Sequence, residues 1–301
     1  MRVVLATNDR FGIHALNGLG GENVVGLLHF CSPKQSGYVD KDVFEVENVF
    51  QLHIGESMDL ATEWLRLCKP DIVLCCGWSK IVPPSILDEF CVIGMHPTKL
   101  PHGRGGAPIV NTILCGDKES AVSFYRMTEE VDFGDVVCQR SFDIGEDATS
   151  TWLYGKACSV VQSIALEAIE AALDGQIVVE KSKFLGTSLR PQRKPKDSHI
   201  DWFSKTVDIQ RFIRACSDPY PVAFGALYMH KMTLFLNDGV VPTWYSGMQP
   251  GMFKIEGETF RVGCGDGDLC FYLDDLDGCI PRGGRYLSER VDAKWLKMVQ
   301  G

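Results

Sequence analysis

At 301 residues the chain has room for about two domains. A hydrophobic fraction of 45% with 23% charged residues describes an ordinary globular protein, and no apolar run reaches the length of about eighteen that a membrane helix needs. The net charge of −9 and pI near 5.3 argue against a large polyanionic partner, because gripping a phosphate backbone takes clustered Lys and Arg.

Met1 leads straight into apolar residues with no signal-peptide pattern, which points to the cytoplasm. The twelve cysteines lack paired Cys-x-x-Cys spacing, so the sequence predicts no metal site and reduced, mostly buried thiols.

Val3 to Thr7 reads as a strand and Phe11 to Leu19 as a helix. Asn8, Asp9 and Arg10 fall at the strand's carboxyl end, where an acceptor could be touched; a helix cap is the structural alternative. Gly18, Gly20 and Gly21 come too late for a dinucleotide fingerprint, so no NAD site is expected. Val24 to Phe30 is a second strand, Phe44 to Val49 a weaker one, and Glu56 to Leu67 an amphipathic helix.

Asp71 to Cys76 and Cys91 to Met95 are short apolar runs of the buried-strand kind, which puts His96 where a strand stops. Pro97 and Pro101 stiffen the backbone beyond it, and Gly103, Arg104, Gly105 and Gly106 make a loop whose amides can approach a ligand closely. Ala107 and Pro108 open a helix through Ile113, with Pro in the first turn. Ala121 to Tyr125 is a strand, followed by the acidic turn Thr128, Glu129, Glu130, Val131, Asp132 and a further strand from Val136 to Ile144. Ser150 to Leu173 has the spacing of a long helix, ended by Gly175. Strands alternating with helices predict an α/β domain with a mostly parallel twisted sheet over residues 1–187.

Residues 188–203 read as a linker containing the basic, Pro-broken run RPQRKPK. Residues 204–301 change character. A helix from Ser204 to Cys216 precedes short strands at Ala226 to Met229, Thr233 to Leu236, Thr259 to Cys264 and Leu269 to Leu273, with Gly263, Gly265 and Gly267 as hairpin residues. This is a small β-rich domain, and exposed apolar strands in it would support a homodimer.

The order HPTKLP, GRGGAPI, AVSFYRMTEEVDFGDVV resembles the formyltransferases that use 10-formyltetrahydrofolate. CCGWSKIVPPSILD, from Cys75 to Asp88, resembles the folate loop of that family, and Arg193 to Leu227 resembles the start of its C-terminal domain. The resemblance covers nearly the whole chain. It implies a Rossmann-like formyltransferase domain followed by an OB-like C-terminal domain, with 10-formyltetrahydrofolate as cosubstrate and no metal. By the same resemblance His96 is the general acid/base and oxyanion donor, and Asp132 orients it and helps relay the proton. Trp78, Ser79 and Lys80 would hold the folate together with the turn Thr128, Glu129, Glu130, Val131 and Asp132, although Trp78 could equally be a core aromatic. Asn8, Asp9, Arg10, Thr98, Lys99, Arg104 and Gly105 would face the substrate.

One departure stands out. The resemblance implies Asn at position 94, two before the His and on the same strand face, where its amide would serve the oxyanion; this chain has Gly94. Ser123 and Asn111 are the candidate replacements, and Gly94→Asn would restore the donor. PYPVAF and the compact loop between His96 and Ala107 favour a nucleotide-linked amino sugar as acceptor, with no nucleic acid. Methionyl-tRNA formyltransferase, formyltetrahydrofolate hydrolase and a catalytically weak folate or nucleotide binder are the alternatives.

Overall fold

The computed structural model describes residues 1–227, 232–236, 243–245, 248–256, 259–272, 276–278, 281–282 and 285–286. By its internal contacts the chain divides into two units: Met1–Thr112, Lys118–Ile144 and Leu153–Pro191 in the first; Ile113–Asp117, Gly145–Trp152 and Gln192–Gly301 in the second.

The first unit is built on seven strands: β1 (Val3–Thr7), β2 (Val24–Phe30), β3 (Val49–Leu52), β4 (Ile72–Cys75), β5 (Val92–His96), β6 (Glu119–Arg126) and β7 (Val136–Asp143). They lie in the order β3-β2-β1-β4-β5-β6-β7, parallel from β3 to β5 and antiparallel for β6 and β7. This is the mostly parallel, Rossmann-like α/β sheet expected. VVLAT and IVLC are buried at every position, as strands covered on both faces must be. The chain winds outward from β1 to β3 and returns at β4 on the other side of β1. The crevice at the carboxyl ends of β1 and β4 is therefore a topological switch point, the place where open α/β sheets bind ligands.

The helices are α1 (Arg10–Leu19), α2 (Thr62–Cys68), α3 (Pro84–Leu87), α4 (Pro108–Cys115) and α5 (Ser150–Leu173). Two local expectations are corrected. Phe44 to Val49 is not a strand: Asp40 caps a 3-10 turn over Lys41–Phe44, Glu45 turns left-handed at φ 52°, and the strand starts at Val49. Glu56 to Leu67 is not one helix, because Ser57 accepts from the Asp59 amide and starts a 3-10 turn, Met58–Ala61, ahead of α2. No helix among the described residues is long and apolar enough to cross a membrane. The cysteines among them are free thiols, most of them buried.

The second unit contains α6 (Thr206–Ala215) and short antiparallel strands in sheets of four, three and two. Its core gathers Trp202, Ile209, Ile213, Val262, Leu269 and Phe271. Gly225 has to be a glycine, since a Cβ there would meet the Trp202 ring at 2.4 Å. The observed strands Phe224–Leu227, Met232–Leu236, Thr259–Gly263 and Asp268–Tyr272 match the four expected to within two residues. Met229 and Leu273 lie outside the described residues, as do the side chains from 226 to 247 and with them the surface expected to support a homodimer.

Candidate active site

His96 is the last residue of β5 and its side chain is 6% exposed. Its Nε2 lies 2.9 Å from the Gly103 carbonyl oxygen. A carbonyl only accepts, so Nε2 carries the hydrogen. The other ring nitrogen, Nδ1, lies 3.4 Å from Asp132 Oδ1. Thr98 and Ser123 shape the loop that brings Gly103 back. Thr98 Oγ1 donates to the His102 carbonyl at 2.9 Å, and Ser123 Oγ donates to the Thr98 carbonyl at 2.6 Å.

Asp132 sits on the turn between β6 and β7 with φ +47°, a left-handed conformation that Asp tolerates better than most residues. Positive-φ residues held by their surroundings cluster at functional sites, and two donors with a neighbouring imidazole explain why this one persists. The Gly105 amide donates to Oδ2 at 2.9 Å, the Tyr125 hydroxyl donates to Oδ1 at 3.1 Å, and His96 Nδ1 faces the same Oδ1. The turn itself is tied down by Thr128 Oγ1, which donates to the Phe133 carbonyl at 2.7 Å.

Arg104 was expected to face substrate, and its geometry is different. The residue is 2% exposed, and its guanidinium donates to Glu130 Oε1 at 2.6 Å, the Val131 carbonyl at 2.8 Å and Thr187 Oγ1 at 3.1 Å. It also lies over the rings of Phe133 and Phe184. Its fork thus locks the Gly-rich loop to the acidic turn from beneath. Thr98 is likewise buried with its hydroxyl spent on the backbone, and Lys99 reaches outward to both carboxylate oxygens of Glu119 at 2.7 Å. Of the residues expected near substrate in this loop, Gly105 is the one brought directly onto Asp132.

Neither replacement donor takes the expected position. Ser123 is fully buried and its oxygen holds Thr98, Leu100 and Gln139; Asn111 donates to the carbonyls of Gly106 and Pro191. The residue missed by the sequence reading is Tyr125. In the β5–β6 register it stands directly opposite Gly94. A Cβ on Gly94 would lie 2.8–2.9 Å from Tyr125 Cζ, Cε1 and Oη, so the ring occupies the space a side chain at 94 would need. Gly94→Asn therefore cannot simply restore a donor. The signal was present in the apolar strand AVSFY, but only strand pairing reveals it.

At the carboxyl end of β1, Asn8 Nδ2 donates to Gln35 Oε1 at 2.9 Å, and Asn8 Oδ1 is buried without a partner. Asp9 caps α1 by accepting from the Phe11 amide at 2.9 Å, and burial pushes its carboxyl up to about 7. Arg10 is exposed at the start of α1.

On the neighbouring loop Ser79 donates to the same Gln35 oxygen at 2.8 Å, and Lys80 Nζ lies 4.3 Å from the Phe30 ring centroid. Trp78 packs edge-on to Phe30 at 6.3 Å, the core aromatic of the alternative reading, yet its indole Nε1 is buried with no partner. Ile81 is 80% exposed beside it; on the acidic turn Val131 is 51% exposed, with Glu129 and Glu130 also at the surface. Apolar surface on both loops and an orphaned indole donor fit a flat heteroaromatic ring carrying acceptors.

A mostly parallel α/β sheet with a His–Asp pair at the carboxyl end of β5 belongs here to a transferase. The formyl transferase signature matches residues 39–169 and the signature of the formyl transferase C-terminal domain matches 193–279, and the chain belongs to the formyl transferase family. Enzymes of this family use 10-formyltetrahydrofolate.

The chain is 32% identical over 277 residues to the methionyl-tRNA formyltransferase of Fusobacterium nucleatum, covering 88% of this chain and 86% of that one. Two solved structures share the fold. HypX from Aquifex aeolicus, in complex with tetrahydrofolic acid, matches with TM-score 0.65 and 20% identity over 90% of this chain, which spans only 43% of HypX. The N-formyltransferase of Helicobacter canadensis, in complex with folinic acid and dTDP-3-aminofucose, matches with TM-score 0.63 and 15% identity over 90% of this chain and 98% of that one.

Proposed function

We propose that the protein transfers a formyl group from 10-formyltetrahydrofolate to the primary amine of a nucleotide-linked amino sugar, with His96 and Asp132 handling the proton. The observation that carries the reaction is the 3.4 Å contact between His96 Nδ1 and Asp132 Oδ1 at the carboxyl end of β5. Trp78, Ser79, Lys80 and the turn from Thr128 to Asp132 would hold the folate, and the donor supplies an electrophilic formyl carbon on N10. The acceptor amine, neutral when it attacks, forms the new C–N bond as the bond to N10 breaks. The amine gives up one proton and N10 gains one, and His96 with Asp132 relays it. His96 is also the donor for the developing oxyanion, its Nε2–H exchanging the Gly103 carbonyl for the substrate oxygen. The rate falls at low pH because the ammonium form of the acceptor cannot attack.

The net charge of −9 and the tightly tied loop from Pro97 to Gly106 favour a small acceptor over a nucleic acid. The amino-sugar nucleotide seen with the Helicobacter canadensis enzyme is of the class we propose. A second reading, initiator methionyl-tRNA as acceptor, is favoured by the 32% identity to the Fusobacterium enzyme along most of both chains. The free thiols suit a cytoplasmic enzyme.

Purified protein given 10-formyltetrahydrofolate with dTDP- or UDP-linked amino sugars, with methionyl-tRNA, or with no amine separates the readings. Formamide on a sugar nucleotide supports the first. Formylated methionyl-tRNA in a strongly salt-dependent reaction supports the second, and formate release without amine rejects both.

A further inference from the structure

Tyr125 is 3% exposed and its ring is walled by Leu100, Val136 and Phe184, with Phe133 and Met127 beside them. Burial that deep requires its hydroxyl to find a partner, and the partner is Asp132 Oδ1 at 3.1 Å, the same oxygen that faces His96. Burial and the Asp132 charge push the phenol well above its ordinary value of 10, so the group stays a donor across the working range. The position is available only because residue 94 is glycine: Tyr125 and Gly94 are paired across β5 and β6, and a Cβ at 94 would strike the ring at three atoms.

We propose that Tyr125 is a positioning residue of the formyl-transfer site, seated on Gly94 so that its hydroxyl fixes Asp132 Oδ1 against His96. This rests on the reading of His96 and Asp132 as the proton-handling pair. The division of labour on the carboxylate follows from its geometry. Gly105 holds Oδ2, Tyr125 takes one lone pair of Oδ1, and the other is left directed at Nδ1. Without the hydroxyl the carboxylate retains the Gly105 bond and pivots about it.

Tyr125→Phe tests this, since it keeps the ring on Gly94 and removes only the oxygen. The expected result is a fall in kcat of about ten- to a hundredfold, with KM for 10-formyltetrahydrofolate unchanged and the melting temperature lowered by only a few degrees, the size set by one lost hydrogen bond. The His96 ring-nitrogen resonance in ¹⁵N-labelled protein moves in this variant while those of the other histidines stay in place. Gly94→Ala also lowers kcat and moves the His96 resonance, because the ring is pushed off its seat, and this overpacking lowers the melting temperature as well.

Unchanged kcat and an unmoved His96 resonance in Tyr125→Phe, alongside an inactive Asp132→Asn, would overturn the inference and leave the His–Asp reading standing. A kcat loss matched by a collapse in melting temperature would assign the hydroxyl to the fold and overturn it too. Full activity in Asp132→Asn would remove the reading itself.

Discussion

The Gly105 amide donates to Asp132 Oδ2 at 2.9 Å and so joins the loop after His96 to an acidic turn that lies on the far side of α4 and β6 in the chain. Gly105 sits at φ +97°, a conformation natural to glycine and costly for other residues. A Cβ there would meet the Arg190 carbonyl oxygen at 2.5 Å, and backbone cannot yield as a side chain does. Gly105→Ala should destabilise the protein by about 1–3 kcal/mol, from backbone strain with the clash added. Thermal melting reads the loss, and formyl transfer should fall further than stability alone accounts for.

Arg104 makes a separate case. Its buried fork spans Glu130, the Val131 carbonyl and Thr187, and a lysine ammonium cannot reproduce three contacts in one plane. Arg104→Lys should cost about 1–3 kcal/mol of stability through the Val131 carbonyl and Thr187 hydroxyl left short of a donor. The Glu130 carboxylate is 58% exposed, so solvent screens that pair and it contributes little. If the turn holds folate, KM for the donor rises with the same substitution; an unchanged KM and melting temperature would contradict the role given to this side chain.

Asp9 makes stability depend on pH. Its folded carboxyl is pushed up to about 7 by burial, against an ordinary 3.8. The folded protein therefore holds a proton that the unfolded chain has released, and stability declines as pH rises from about 4 to about 7, then levels. Asn keeps a side-chain oxygen for the Phe11 amide and has no charge to bury. Asp9→Asn should flatten the decline and gain on the order of 2–4 kcal/mol at pH 8 relative to the parent. Equal slopes of melting temperature against pH in the two proteins would reject this.

Much of the parallel half of the sheet was readable because strands buried on both faces leave continuous apolar runs, as in VVLAT and IVLC. Boundaries failed where side-chain caps on Asp40 and Ser57 outweigh apolar spacing, since a hydrogen bond to the next turn leaves no periodicity. At the site, His96 and Asp132 were legible from their motif, and the structure brings them within 3.4 Å. The directions of Arg104, Ser123 and Asn111 were not, because loop and helix-start side chains are aimed by tertiary contacts. Tyr125 was hidden for another reason: its meaning depends on a residue in the facing strand, and only the β5–β6 register pairs it with Gly94.

The account rests on His96 and Asp132 acting together on one proton, and a single-turnover assay tests it most directly. Protein in excess over 10-formyltetrahydrofolate and a sugar-nucleotide amine is compared with Asp132→Asn, which keeps the shape of the carboxylate and removes its charge. The predicted result is a loss of about a hundredfold or more in the formyl-transfer rate, read at protein concentrations that saturate the folate. A variant that transfers formyl at the parent rate would contradict it.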